Sequence, residues 1–158
     1  MTAKQQKITL SSPQDTAELA ARLGAKLVPG DCLLLNGGIG AGKTHFARSL
    51  IQSLMDYPED VPSPTFTLVQ TYDTNAGELW HADLYRLSCV DDIVELGLDE
   101  AMASAICLIE WPDRLAELTP KNALTLSFSL APEEADTRHL TLGWTDQRWS
   151  DLLEVTHD

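Results

Sequence analysis

Basic residues are scarce: 11 Lys and Arg stand against 24 Asp and Glu, a formal net charge of −13 over 158 residues. The cations are also spread singly, so the chain lacks the stripe with which a protein displaces counterions from nucleic acid. That argues against direct RNA or DNA binding. The acidity itself fits solubility first and a basic protein partner second. Cysteine is limited to Cys32, Cys89 and Cys107, far apart and never in a C-x-x-C pair. Neither a disulfide framework nor a zinc site is suggested, and all three read as buried small hydrophobes. The histidines His45, His81, His139 and His157 show no ligand spacing either. No apolar run reaches the roughly 18 residues of a membrane span. The opening "MTAKQQKITL" carries no apolar stretch of signal-peptide length. A cytoplasmic protein with no membrane association is expected. Internal repeats, low-complexity tracts and linkers are missing as well, so residues 1–158 read as a single domain.

What is present is an alternation of strands and helices. "KITL" (Lys7 to Leu10) predicts a strand. The following helix has Ser12 as N-cap, Pro13 at its first position, Asp15 in the first turn and Gly24 near its end. "DCLLL" is an apolar run too short for a helix and bounded by turn residues, hence a buried strand. A helix from about Gly42 to Met55 puts Phe46, Ala47, Leu50, Ile51 and Leu54 on one face. After a Pro-broken loop come a strand from Phe66 to Tyr72, a turn at "NAG" and a second, antiparallel strand in "ELWHADLYRL". A helical segment over Val90–Ala103, a buried strand over Ala105–Trp111 and a short helix or turn in "PDRLAELTP" follow. "ALTLSFSL" and "RHLTLGW" alternate like paired edge strands, and Thr145–Val155 predicts a last helix burying Trp149, Leu152 and Leu153. The class is α/β, a mixed sheet with helices on its faces.

Four of the nine glycines fall within six residues, at Gly37, Gly38, Gly40 and Gly42, and Lys43 and Thr44 follow at once. Gly37-x-x-x-x-Gly42-Lys43-Thr44 is the P-loop pattern. Glycine lets successive N–H groups turn inward as an anion nest, and the helix N-terminus adds partial positive charge. Lys43 then reaches the β- and γ-phosphates, and the Thr44 hydroxyl holds Mg²⁺. A chance match is expected in roughly one chain of this length in two hundred. This match also lies between a buried strand and an amphipathic helix, as the motif requires, so it is read as a nucleoside triphosphate site.

Such a site needs carboxylates for the metal and for the attacking water or acceptor. Glu110 ends the strand "ICLIE" and Asp83 follows the apolar-flanked "LWHA"; either acid could instead be a helix cap or a solvated turn. "SPTFT" (Ser63 to Thr67) lies where P-loop enzymes keep a segment sensing the γ-phosphate, although alone it reads as an ordinary turn. Arg86 could neutralise transition-state charge or pair with a neighbouring acid. Trp111 reads from the residues alone as core.

"GGIGAGKT", "PSPTFTLVQTYD", "HADLYRL", "ELGLDE" and "LIEWPDRL", in this order and spacing over about Leu10–Thr141, resemble the TsaE (YjeE) family. Its members are small bacterial ATPases of tRNA threonylcarbamoyladenosine synthesis. The resemblance implies a single-domain P-loop NTPase fold, with a mixed, mostly parallel sheet, helices on both faces and added antiparallel strands. It implies ATP and Mg²⁺ as ligands, with Gly38, Gly40, Ala41, Gly42, Lys43 and Thr44 at the phosphates. Ser63, Thr65 and Thr67 would form a switch-like loop, with Thr65 among the catalytic residues. Roles are implied for Asp83, Glu110 and the neighbouring Trp111; which carboxylate orients the water stays open from the sequence, with Asp83 at the water and Glu110 beside Thr44 at the metal as the favoured assignment. Family members work with TsaB and TsaD proteins, so tRNA would be met only through that complex, and this chain would be the accessory ATPase rather than the transferase. Gly38, His45 and Ser49 depart from the residues common in the family, and the tail beyond Gly143 carries no motif of it. A small-molecule or nucleoside kinase is the alternative. It is disfavoured because Arg86, Arg114, Arg138 and Arg148 are too dispersed to clamp a transferred phosphate. A GTPase lacks support, since no N-K-x-D sequence is present.

Overall fold

Strand β2 (Cys32–Asn36) is apolar and buried on both faces from Cys32 to Leu35, as central strands flanked by helices on two sides must be. The structure is a computed structural model that describes residues 3–38, 41–57, 59–62, 64, 68–132 and 134–157, with side chains described as far as Leu153. On one side of β2 lie β5 (Ile106–Glu110), β4 (Gly77–Asp83) and β3 (Val69–Thr74); on the other lie β6 (Leu124–Leu130), β7 (Arg138–Trp144) and β1 (Lys4–Leu10). The four central strands β6, β2, β5 and β4 run parallel, while β3, β7 and β1 are added antiparallel. Parallel and antiparallel pairings are therefore equal in number.

Alternation along the strands divides the core in two. Leu33, Leu35, Ile106 and Leu108 face helices α1 (Pro13–Gly24), α2 (Lys43–Ser53) and α5 (Gln147–His157). Cys32, Leu34, Cys107 and Ile109 face α3 (Val90–Glu95), α4 (Leu98–Ser104) and the 3-10 turns over Pro112–Leu118. Helices thus cover both faces. The start of α1 follows the expected chemistry: Ser12 Oγ accepts from the Asp15 N–H at 3.2 Å, and the Asp15 carboxylate accepts from the Ser11 N–H at 3.0 Å. The Asp15 N–H, one of those a helix start leaves without a partner, is thereby capped, and its carboxylate also holds the N–H of the residue before the cap. In α2, Phe46, Ala47, Leu50 and Ile51 are all buried, and Leu54 is buried just beyond the helix end.

Several expectations are corrected. The first strand begins three residues earlier, at Lys4. The second antiparallel strand stops at Asp83, because the Asp83 side chain accepts from the Tyr85 N–H and turns "LYRL" out of the ladder. The described part of β3 begins at Val69 and runs on to Thr74; Phe66 and Thr67 lie outside the described residues. The helix expected over Val90–Ala103 is two helices, because Gly97 adopts φ +80°, a left-handed conformation that breaks the run. β6 and β7 pair as expected but lie inside the sheet, the edges being β1 and β3. Cys89 is exposed. Cys32 and Cys107 are buried neighbours across the β2–β5 pairing, and burial pushes both thiols up, Cys107 to about 12. They pack as hydrophobes with little thiolate to react.

The last helix closes the α1–α2 face. Trp149 is fully buried, its indole N–H donates to the Asn122 carbonyl at 2.7 Å, and Leu152 and Leu153 are buried beside it. The Arg148 guanidinium forks onto both Asp31 oxygens, at 2.9 and 2.6 Å, tying α5 to the start of β2. Trp149→Ala should therefore cost about 3–5 kcal/mol of stability, read as a lower denaturation midpoint in guanidinium chloride. An unchanged midpoint would mean that α5 is not part of the cooperative unit.

Candidate nucleotide site

Parallel register brings the candidate acids together. Leu35 of β2 pairs with Glu110 of β5, and Glu110 with Asp83 of β4, so three strands end side by side. The glycine loop leaves β2 at the same edge, and the carboxyl ends of parallel strands are where α/β sheets bind ligands. Cross-strand partners share a face, so His81, Asp83 and Glu110 point the same way as Leu108, toward α2.

The loop starts at Gly37, whose φ is +146° and where an added Cβ would stand 2.8 Å from the Phe128 carbonyl oxygen. Only glycine fits between β2 and β6 there. Gly38 has open space where a Cβ would stand, so the backbone there does not require glycine for room. Ala41 is buried, and Gly42 caps α2 without a side chain, leaving the helix N-terminus open toward the cavity. Of the expected site residues, Gly40, Ser63, Thr65 and Thr67 lie outside the described residues.

Lys43 and Thr44 open α2 directly in front of the acids. Thr44 Oγ1 donates to Glu110 Oε1 at 3.0 Å, and His81 Nε2 donates to Glu110 Oε2 at 2.7 Å. Lys43 is buried, with Nζ 4.0 Å from the centroid of the Trp111 ring, a cation–π contact. Desolvation lowers its pKa below the ordinary lysine value, opposed by the charges of Glu110, Asp83 and Asp113. Nζ is thus held by groups that compensate it weakly, a state that phosphate oxygens would improve. Trp111 has φ +58°, which costs a residue with a side chain roughly 1 kcal/mol. The Tyr85 ring at 4.8 Å and the Lys43 contact pack the indole in place. It lines the cavity while also packing against the α3–α4 core.

Between these groups and the start of α1 lies a cavity of about 560 Å³, within the range of small-molecule sites. Lys43, Thr44, Asp83, Glu110, Trp111 and Tyr85 form one wall. The other comes from Pro13 and Thr16 of α1, His45 of α2, and Asp136 and Arg138 at the β6–β7 turn. Arg138 Nη1 donates to the carbonyls of Ala135 and Thr137, at 2.8 and 3.0 Å. His45 Nε2 lies 2.9 Å from the Pro13 carbonyl and joins the two helices at the rim. Reading the sequence placed His45 near the phosphates but missed Pro13, Thr16, Asp136 and Arg138, because no local pattern announces them; only the β6–β7 pairing and the α1–α2 packing bring them there. Arg86 is exposed and does not line the cavity.

The chain resembles known proteins over most of its length. Residues 10–140 match the family model described as "Threonylcarbamoyl adenosine biosynthesis protein TsaE". The chain is 37% identical to the tRNA threonylcarbamoyladenosine biosynthesis protein TsaE of Rickettsia felis, over 94% of this chain and 87% of that one. It is 34% identical to the TsaE protein of Bacillus subtilis, over 96% and 93%. The crystal structure of Bacillus subtilis YdiB superposes with a TM-score of 0.80 at 31% identity, covering 99% of this chain and 97% of that one. The chain is a member of the TsaE family, proteins of tRNA threonylcarbamoyladenosine biosynthesis.

Proposed function

We propose that this chain binds ATP with Mg²⁺ in the 560 Å³ cavity and hydrolyses it slowly, as the accessory ATPase of a TsaB–TsaD type complex. One observation carries the reading: Lys43, Thr44, Asp83 and Glu110 converge at the mouth of one cavity, at the end of the glycine loop. The donors suit the metal. Thr44 and Glu110 offer hard oxygens 3.0 Å apart, and no cluster of three metal-ligating side chains exists among the described residues. Mg²⁺ is usually held in this way, by one or two protein oxygens with nucleotide phosphates and water completing the octahedron. When bound it would neutralise charge developing on the β- and γ-phosphates.

The protein groups then divide the work. The N–H groups of the loop and the α2 N-terminus receive phosphate oxygens. Lys43 leaves the Trp111 face for the β- and γ-phosphates, which relieves its desolvation. Asp83 is the acid beside Glu110 that does not hold the Thr44 hydroxyl, and it is assigned to orient the attacking water. The implied switch roles of Ser63, Thr65 and Thr67 rest on the family resemblance. Arg138 is tethered to two carbonyls and Arg86 is not among the described residues that line the cavity, so the described residues present no ready arginine finger, a residue worth roughly 10³ to 10⁵ in rate. Turnover by the isolated chain should be slow and partner-dependent. The net charge of −13 keeps tRNA binding indirect, through the partners. No described helix is long and apolar enough to cross a membrane, and a cytoplasmic location is the reading that a tRNA-modification role supports.

Phosphate release and modified tRNA, scored together with and without TsaB and TsaD proteins of the same organism, test the proposal. Stimulation by the partners coupled to repeated modification is expected. Phosphotransfer to a small molecule, indifferent to those partners, would favour the kinase reading. Lys43→Ala should reduce hydrolysis at least about 100-fold, being the charged contact to phosphate; unchanged turnover would remove the P-loop assignment. Glu110→Gln should weaken Mg²⁺-dependent hydrolysis while leaving ADP binding in EDTA nearly intact. Equal loss of both would make Glu110 a structural residue.

A further inference from the structure

His81 is a fully buried titratable group that the proposed mechanism does not use. Its side chain is 1% exposed, in the middle of a strand whose neighbours Leu79 and Ala82 are also fully buried. The ring makes one polar contact, Nε2 to Glu110 Oε2 at 2.7 Å, and Nδ1 has no hydrogen-bond partner among the described residues. A phenylalanine or leucine would fill this space without an unpaired nitrogen. The histidine is therefore not explained by packing, and the single bond from Nε2 is the reason to have it there.

That bond acts on the geometry of Glu110. The carboxylate is 3% exposed, and its oxygens face different partners: Oε2 is held by His81 and Oε1 is presented to Thr44 Oγ1. A carboxylate whose second oxygen is occupied by a buried N–H has one oxygen left for a cation. Mg²⁺, small and octahedral, accepts one oxygen, whereas Ca²⁺ takes six to eight ligands and often both oxygens of a carboxylate. We propose that His81 is a positioning residue that keeps Glu110 a one-oxygen contact, and so sets both the strength and the size selectivity of the divalent cation beside Thr44. This rests on the assignment of Thr44 and Glu110 to the cation of a bound nucleotide. Hydrogen-bond partners of ligating groups commonly matter by about 10- to 100-fold in metal affinity.

The test is ADP binding to the purified full chain by titration calorimetry, in EDTA, in Mg²⁺ and in Ca²⁺, so that each cation's effect is a ratio of dissociation constants and needs no turnover. His81→Asn and His81→Gln form the diagnostic pair. The Gln amide nitrogen reaches the place of Nε2, while the Asn nitrogen stands only where Nδ1 does. In EDTA both variants should bind ADP as the wild type does. The Mg²⁺ ratio should fall about tenfold in His81→Asn and His81→Phe and return to within about twofold in His81→Gln. The Ca²⁺ ratio should rise relative to Mg²⁺ wherever the donor is lost. Equal behaviour of the Asn and Gln variants, or loss of ADP binding in EDTA in the Asn variant, would overturn the positioning role while leaving the cation site in place. A wild-type chain whose ADP affinity ignores Mg²⁺ would remove the cation site itself, and the inference with it.

Discussion

The constraint on which the site depends is the parallel register of β2, β5 and β4. Because Leu35, Glu110 and Asp83 are cross-strand neighbours, the glycine loop and both acids leave the sheet at one edge, facing one helix. Ladder hydrogen bonds and the different side chains packed on each face hold that register, since an uninterrupted apolar run could bury either set of side chains on either face. A slip of one residue would send Leu33 and Leu35 to the α3–α4 side and carry Glu110 away from Thr44. The apolar run Cys32–Leu35 therefore serves the site as much as the core.

Glu110 is the meeting point of this arrangement. It ends a fully buried strand and accepts from Thr44 on the P-loop helix and from His81 on the neighbouring strand. Lys43 supplies the compensating charge while resting on Trp111. Few of these groups touch solvent, so the interactions operate at a low local dielectric and are correspondingly sensitive to what fills the cavity. A nucleotide with its cation would exchange internal partners for phosphate and metal, which gives the site two arrangements with different partners for Lys43, Thr44 and Glu110. That is the raw material of a nucleotide-dependent switch.

The parts of this account that sequence made legible are local ones. The P-loop spacing, the Ser12 cap, the buried runs of β2 and β5 and the acids at strand ends are written in consecutive residues. So is the family resemblance, which gave Trp111 a place in the site as well as in the core. What escaped is long-range. His81 and Glu110 are 29 residues apart, and nothing but the β4–β5 register makes them partners. Asp136 and Arg138 reach the cavity only because β7 pairs inside the sheet, and alternation cannot distinguish an interior antiparallel strand from an edge one. The break at Gly97 was visible as a glycine but not as a turn, since a helix tolerates an isolated glycine.

The most direct measurement is a crystal structure of the chain with Mg²⁺ and a non-hydrolysable ATP analogue. The account predicts the triphosphate over the glycine loop, Lys43 moved from the Trp111 ring to the phosphates, and a cation about 2.0–2.1 Å from Thr44 Oγ1. It also predicts that Glu110 faces the cation through Oε1 while His81 still holds Oε2. A nucleotide bound elsewhere, or a cation that meets neither Thr44 nor Glu110, would contradict it.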